Sequence, residues 1–345
     1  MSDAERSAIY PRIVVAGAGS IGCFVGGMLA RAGRNVTLLL RAGTFEEISH
    51  HGLSLTDYDG MDEALSPDSC AMQTDPSCLA EADIVLVTVK SGATAQIAND
   101  IARHAPKGAI VVSLQNGVEN ADTLRRVLPD HDVRAGMVPF NVVWVGGGRF
   151  HRGTSGQIAI EKGAGHVARH LSCLGLEVHE KRDMAALHWG KLVINLNNAL
   201  NALSGLPLRQ QIGDMRWRRL MAAQMSEALT VLEGAGITPS NPVAALPMSV
   251  VPRVLRLPTW AFRWVARAML SIDPNARSSM WEDLDRGRRT EIEELQGQIV
   301  RLARQNGQDA AINGRIAALI RAAEAEGVGS PCLSAKEVQK RLRGR

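Results

Sequence analysis

Residues 12–22 read Arg12-Ile-Val-Val-Ala-Gly-Ala-Gly-Ser-Ile-Gly22, an apolar strand that runs directly into Gly17-x-Gly19-x-x-Gly22 and then into a helical pattern. The spacing is that of a dinucleotide clamp. Gly17 permits a tight turn, Gly19 leaves room for the backbone to approach a pyrophosphate, and Gly22 lets the helix pack closely on the strand. The phosphates would meet the first N–H groups of the helix, at Ser20, Ile21 and Gly22, where the positive end of the helix dipole lies. A glycine turn alone is a weak signal, since any tight strand-to-helix connection can produce one. Here a second apolar strand, residues 35–40, follows one helix later and completes the strand, turn, helix, strand order of a mononucleotide-binding half.

The residue that closes the second strand separates the two nicotinamide dinucleotides, because an acidic side chain there accepts hydrogen bonds from the ribose 2′-OH of NAD. Arg41 stands there instead, and no Asp or Glu occurs between Gly22 and Thr44. A planar guanidinium pairs with a 2′-phosphate through two parallel bonds, so the sequence favours NADP(H). The bland alternative is a solvated arginine at a strand end.

Further apolar runs at residues 83–90 and 109–114, separated by a helical stretch over 93–104, suggest a parallel sheet covered on both faces. After Gly136 the pattern alternates, over 140–145 and 157–161, and these segments are expected as antiparallel additions to the sheet edge. From Met184 onward strands disappear and amphipathic helical runs take over, near 191–203, 215–234 and 280–307. The expectation is an α/β chain: an N-terminal Rossmann-type, doubly wound domain over residues 1–183 and an all-helical domain over 184–345. Ligands are expected in the crevice outside the carboxyl ends of the strands.

Length and composition fit this. The 345 residues suffice for two cores, and 46% apolar content excludes disorder and collagen-like repeats. A formal charge of +4, from 39 basic and 35 acidic residues, demands no nucleic acid. Five scattered cysteines without a CxxC pair, and a start without a signal-peptide core, point to a reducing, cytoplasmic setting. The uncharged run 234–252 contains Pro239, Pro242, Pro247 and Pro252, which argues against a membrane span. Residues 253–271 mix Trp260, Phe262 and Trp264 with Arg253, Arg256, Arg263 and Arg267. An extra helix pair packed on the second domain is favoured there over a membrane-surface helix, since the arginines do not share one face.

Lys90 and Asn116 end or follow strands at the carboxyl edge and are candidates to touch cofactor or substrate, against the alternative of a solvated strand end and an ordinary turn. In the second domain Lys191, Asn195 and Asn198 fall at helical spacing on one face. A lysine and two amides in an apolar wall suggest a polar site whose ammonium could donate a proton to a developing alkoxide. Asn197 and Asn201 dilute that signal towards a solvated polar face. His166 and His170 have the spacing of a metal pair but lack the intervening Glu of a zinc protease, so no metal site is expected.

Six ordered motifs carry a resemblance: the glycine turn, Val89-Lys90, Leu-Gln-Asn-Gly at 114–117, Lys-Leu-x-x-Asn at 191–195, Ser-Ser-Met at 278–280 and Arg-Thr-Glu-Ile at 289–292. Together, over residues 11–330, the chain resembles the ketopantoate reductase family. The resemblance implies NADPH-dependent reduction of ketopantoate to pantoate on the pantothenate route, with a small 2-oxo acid as substrate and a homodimer as a compatible assembly. It implies Lys191 as catalytic acid, Asn116 and Glu291 as cofactor and active-site contacts, and Ser279 as a ligand of the substrate carboxylate. Lys90, Asn195 and Asp283 also match family positions. The chain departs from the pattern at Asn198, which stands one residue earlier than usual and precedes Ala199 rather than proline, and in its longer 239–271 segment. A reductase of another 2-oxo acid and a non-catalytic NADP-binding protein stay open as alternatives. On one unbroken helix Ser279 and Glu291 would stand about 18 Å apart. The helix therefore starts after Ser279 or bends near Gly287, or else Glu291 serves the cofactor ribose.

Overall fold

The structure, a computed structural model, describes residues 10–66, 69–242, 246–265 and 276–343. The chain divides into two compact units, Met1–Met184 and Ala185–Arg345. In the first, the elements run β1 (Ile13–Ala16), α1 (Ser20–Arg31), β2 (Val36–Leu39), α2 (Ala42–His51), β3 (Leu53–Asp57), β4 (Asp62–Leu65), β5 (Ala71–Gln73), β6 (Ile84–Val87), α3 (Thr94–His104), β7 (Ile110–Ser113), α4 (Asn120–Val127), β8 (Asp132–Met137), β9 (Val142–Gly146), β10 (Arg149–Arg152), β11 (Ile158–Glu161), α5 (Val167–Leu171) and β12 (Val178–Lys181).

The main sheet has the order β12-β11-β8-β7-β6-β1-β2-β5. Every neighbouring pair from β8 to β5 is parallel. This is the doubly wound Rossmann arrangement, with its reversal of strand order between β1 and β6. Along β1 the side chains alternate between two cores. Ile13 and Val15 join Phe24, Met28 and Leu38 on one face, while Val14 and Ala16 join Ile97, Ile101 and Leu124 on the other. Both faces are covered, which is why these strands read as unbroken apolar runs.

The expected edge strands need correction. β11 does run antiparallel to β8, but β12 lies outside it. Residues 142–146 leave the main sheet altogether and form β9 of a second sheet, β4-β3-β10-β9. Positive φ at Gly146, Gly147 and Gly148 folds β9 back onto β10, and Glu47 Oε1 fixes the turn by accepting from Trp144 Nε1 and Gly148 N, both at 2.9 Å. β10 then pairs in parallel with β3, nearly a hundred positions earlier, a partnership that no local pattern reveals.

Arg152 and Asp57 join these two strands through a bond of 2.6 Å with side chains 10% and 5% exposed. Burial alone would raise the Asp57 carboxyl, but hydrogen bonds from Met61 N–H, Arg152 and Asp59 N–H hold it below its ordinary value. Arg152→Met would strand the carboxylate, and a loss of about 3–5 kcal/mol is expected in chemical denaturation at neutral pH. The contribution is present above the unfolded carboxyl value and fades as pH falls through the lower folded one, so the gap between wild type and variant should narrow in acid.

The second unit is helical throughout its described residues: α6 (Met184–Asn195), which spans the junction, then α7 (Asn197–Ser204), α8 (Leu208–Gly213), α9 (Met215–Gly234), α10 (Val251–Leu255), α11 (Thr259–Val265), α12 (Ser279–Asp285), α13 (Gln296–Gln305), α14 (Ala311–Glu326) and α15 (Ala335–Arg343). Two expected runs are interrupted. The first breaks at Leu196, between α6 and α7, and the run over 280–307 breaks where Gly287 takes φ +60° and Arg288 N–H bonds back to Asp283 O at 2.7 Å.

Part of the 239–271 segment, residues 243–245 and 266–271, lies outside the described residues. The rest includes the helix pair α10 and α11, packed on α9 through Arg218. That fully buried guanidinium donates to the carbonyls of Leu255, Leu257, Ile212 and Gly213 and stacks 4.3 Å from the Phe262 ring centroid. Trp260 and Trp264 stay exposed on α11. Among the described residues no helix is long and apolar enough to cross a membrane.

Candidate active site

In the first unit the candidate site is the reversal point of the sheet. Gly17, directly after β1, has φ +74°, and a Cβ there would sit 2.0 Å from Val89 Cγ1. Thr88 Oγ1 donates to Gly17 O at 3.1 Å, so the turn is pressed against the chain leaving β6. Gly22 is equally confined, because an added Cβ would approach Thr88 Oγ1 to 2.4 Å. Gly19 differs. Its φ of −86° suits any residue and a Cβ would meet nothing within 4 Å, so the fold itself does not require glycine there. Open space above Gly19 is what a pyrophosphate at van der Waals distance needs.

The first intrahelical bond of α1 runs from Cys23 N to Gly19 O at 2.8 Å, and no side chain caps the helix. The N–H groups of Ser20, Ile21 and Gly22 precede it and are available to an anion. Arg41 is the exposed N-cap residue of α2, with no partner for its guanidinium among the described residues. The residues present therefore fit a phosphorylated dinucleotide.

Lys90 and Asn116 are brought close by a polar network that the sequence did not single out. Asn116 O accepts from Ser91 Oγ at 3.2 Å and from Asn120 Nδ2. Asn120 Nδ2 also reaches Ser91 Oγ at 2.9 Å, and its Oδ1 accepts from Thr94 Oγ1 at 2.9 Å. Gln115 Nε2 donates to Val89 O at 3.1 Å and Thr94 Oγ1 at 2.7 Å, while Ser113 Oγ donates to Gln115 Oε1 at 3.0 Å. The strand ends after β6 and β7 are thereby tied together, with Lys90 exposed and Asn116 half-buried at the rim. The clue in the sequence was the repeated amide of Gln115, Asn116 and Asn120, which exceeds the needs of a turn.

In the second unit Lys191 and Asn195 lie one turn apart on α6, both half-buried. Burial pushes the Lys191 ammonium down to about 8, against the opposing field of the Glu291 carboxylate, which raises it. Glu291 belongs to the non-helical turn between α12 and α13, so the chain bends at Gly287 and the single long helix is corrected.

Asn198 stands beyond the Leu196 break, and the bond recorded for it is at its main chain, where its carbonyl accepts from Ser278 Oγ at 3.1 Å. Ser278, not Ser279, caps α12: its Oγ accepts from Trp281 N–H at 3.2 Å and its N–H donates to Asn201 Oδ1 at 2.9 Å. Ser279 is the first helical residue, half-buried, its hydroxyl without a partner among the described residues. Asp283 is buried on the same helix. Asn197 and Asn201 are buried too and share Gln211 Oε1 at 3.2 Å, so they do not form a solvated face.

Residues 13–165 match the profile of ketopantoate reductase PanE/ApbA and residues 183–324 that of its C-terminal domain. The chain belongs to the ketopantoate reductase family. A 2-dehydropantoate 2-reductase from Halobacterium salinarum is 30% identical over 92% of this chain and all of that protein. The crystal structure of a PanE/ApbA family ketopantoate reductase from Ralstonia eutropha JMP134 superposes with a TM-score of 0.77 at 32% identity, covering 92% of this chain and 99% of that one. D-mandelate dehydrogenase in complex with NADH and anilino(oxo)acetate shares the fold, with a TM-score of 0.74 at 20% identity over 92% of this chain and 99% of that one. Within this ketopantoate reductase family chain, the Rossmann unit carries the glycine turn with an uncapped helix start, and the helical unit a lysine of lowered basicity within the field of a carboxylate.

Proposed function

We propose that the chain catalyses NADPH-dependent reduction of ketopantoate to pantoate. The observation that carries this reading is Lys191, half-buried on α6, pushed down to about 8 and coupled to Glu291, in a chain whose full-length relatives are 2-dehydropantoate 2-reductases. When bound, the nicotinamide supplies a hydride. Lys191 Nζ delivers the proton to the ketone oxygen as charge develops there, and Asn195, one turn away, offers an amide to the same oxygen or its neighbours. Glu291 holds the ammonium protonated near neutral pH. The clamp at Gly17, Gly19 and Gly22, the N–H groups of Ser20 and Ile21, and Arg41 bind the dinucleotide, with Lys90 and Asn116 beside it.

NADPH oxidation followed with ketopantoate and a panel of branched and unbranched 2-oxo acids tests the reading, and a higher kcat/KM for another acid would overturn it. The reductase of another 2-oxo acid is less favoured, because the full-length relatives are named for ketopantoate reduction. A non-catalytic binder has no use for a lysine of lowered basicity. The assembly is inferred to be a homodimer, measurable by sedimentation, and a cytoplasmic location is supported by five cysteines that are all free.

The substrate carboxylate is assigned to Ser279, whose hydroxyl is uncommitted while its neighbour Ser278 is used as the cap. Ser279→Ala should raise KM for the 2-oxo acid, with a cost of roughly 1–3 kcal/mol for a charged hydrogen bond. KM for NADPH should hold. An unchanged KM for the acid would move its carboxylate to Asn195 or Asn198.

A further inference from the structure

The turn that carries Glu291 is held at both ends. Ahead of it, Thr290 N–H donates to Glu324 Oε1 of α14 at 2.7 Å. Behind it, Gly297 N–H closes on Ile292 O at 3.0 Å, and α13 opens at the fully buried Gln296. Gln296 Nε2 donates to Leu196 O at 2.8 Å, the carbonyl at the break that follows Asn195 on the Lys191 helix. It also lies 3.4 Å from Gln224 Oε1 of α9, whose main-chain carbonyl accepts from Asn313 Nδ2 of α14 at 3.2 Å. Asn313 is fixed in turn by Glu227, which takes both its main-chain and its side-chain N–H at 2.8 Å.

We propose that Gln296 is a positioning residue that sets the Glu291 turn against the Lys191 helix by bonding the start of α13 to the main chain at Leu196. Core packing does not explain an amide there. Its Oε1 is buried without a hydrogen-bond partner among the described residues, a cost that an apolar side chain of the same size would avoid. What the amide adds is direction: it bonds the peptide next to Asn195 directly to the start of α13, where the Glu291 turn ends. The field of Glu291 at Lys191 depends steeply on their separation, so a turn released from Leu196 lets the carboxylate drift and weakens its support of the ammonium.

The proposal rests on the reading of Lys191 as proton donor, and its test separates the two. Competitive acylation of Lys191 across pH, read by peptide mass spectrometry, reports the protonation midpoint without turnover. Gln296→Met fills the same volume and is expected to lower that midpoint by about one unit. It should also lower kcat by about ten- to a hundredfold at unchanged KM for NADPH. Gln224→Met leaves the bond to Leu196 in place and is expected to keep the wild-type midpoint while losing thermal stability. If Gln296→Met does not accumulate folded, Gln296→Asn keeps the amide one methylene short of Leu196 O and should show the same shift. A midpoint unmoved in the Gln296 variant, or moved equally by Gln224→Met, overturns the positioning role. A midpoint shift in Gln296→Met alongside wild-type protein that does not reduce ketopantoate would instead overturn the proposed reaction and leave the positioning role standing.

Discussion

Lys191→Ala is expected to lower kcat for ketopantoate reduction by about a hundredfold or more while NADPH affinity stays within about twofold. Removing a general acid raises the barrier only where the proton is in flight, so the loss should appear in kcat and kcat/KM together. Lys191→Arg should rescue little, because a guanidinium keeps its proton and cannot act as a donor near neutral pH. The pH profile gives the same assignment a sign. Burial lowers the ammonium and Glu291 raises it, leaving it at about 8. The donor is the protonated form, so kcat/KM for reduction should be flat below that pH and fall about tenfold per unit above it. Glu291→Gln removes the supporting charge and should carry the falling limb to lower pH. A Lys191→Ala enzyme with near wild-type kcat, or a limb that ignores Glu291→Gln, would remove the pair from the mechanism.

The parts of the site that were legible in the sequence are those made by neighbours along the chain. Gly17, Gly19 and Gly22 could be read because strand, turn and helix pack on one another within one βαβ unit, and the structure separates their roles. Gly17 and Gly22 are required by Val89 and Thr88, whereas Gly19 is left open towards a ligand. Lys191 and Asn195 share a helix face because one turn separates them, a relation that survives any tertiary arrangement. Asn198 follows the short interruption at Leu196, and its carbonyl accepts from Ser278 Oγ, a contact with a residue eighty positions later that helical spacing cannot reveal.

The illegible parts depend on distant partners. Periodicity could join residues 280–307 into one helix because Gly287 costs only about 1 kcal/mol in a helical pattern. The helix closes locally at Gly287, and what fixes the course of the turn after it is Glu324 accepting from Thr290 N–H and Leu196 O accepting from Gln296, contacts between residues far apart in sequence. The second sheet was missed for the same reason, as β10 meets β3 only after the intervening strands of the main sheet are built. Asn197 and Asn201 read as a solvated face in the sequence because a buried amide and a solvated one have the same letter. Their partner Gln211 sits on another helix.

Arg41→Asp should weaken NADPH binding by about a hundredfold or more and leave NADH binding almost unchanged. The guanidinium follows β2 at the head of α2, exposed and without a carboxylate partner among the described residues, so its charge is free to meet a 2′-phosphate. Charge-assisted bonds from one arginine contribute about 1.5–3 kcal/mol, and an aspartate in its place adds repulsion between two anions. The free ribose 2′-OH of NADH offers that aspartate a hydrogen-bond donor instead, which is why the change acts on one cofactor and spares the other. Because the site is open to solvent, the wild-type preference for NADPH should shrink as ionic strength rises and the Debye length shortens to a few ångströms. The measurement is a fluorescence titration of both cofactors against wild type and variant at low and high salt. Wild-type protein that binds NADH as tightly as NADPH, or a preference that does not respond to salt, would take the 2′-phosphate away from Arg41.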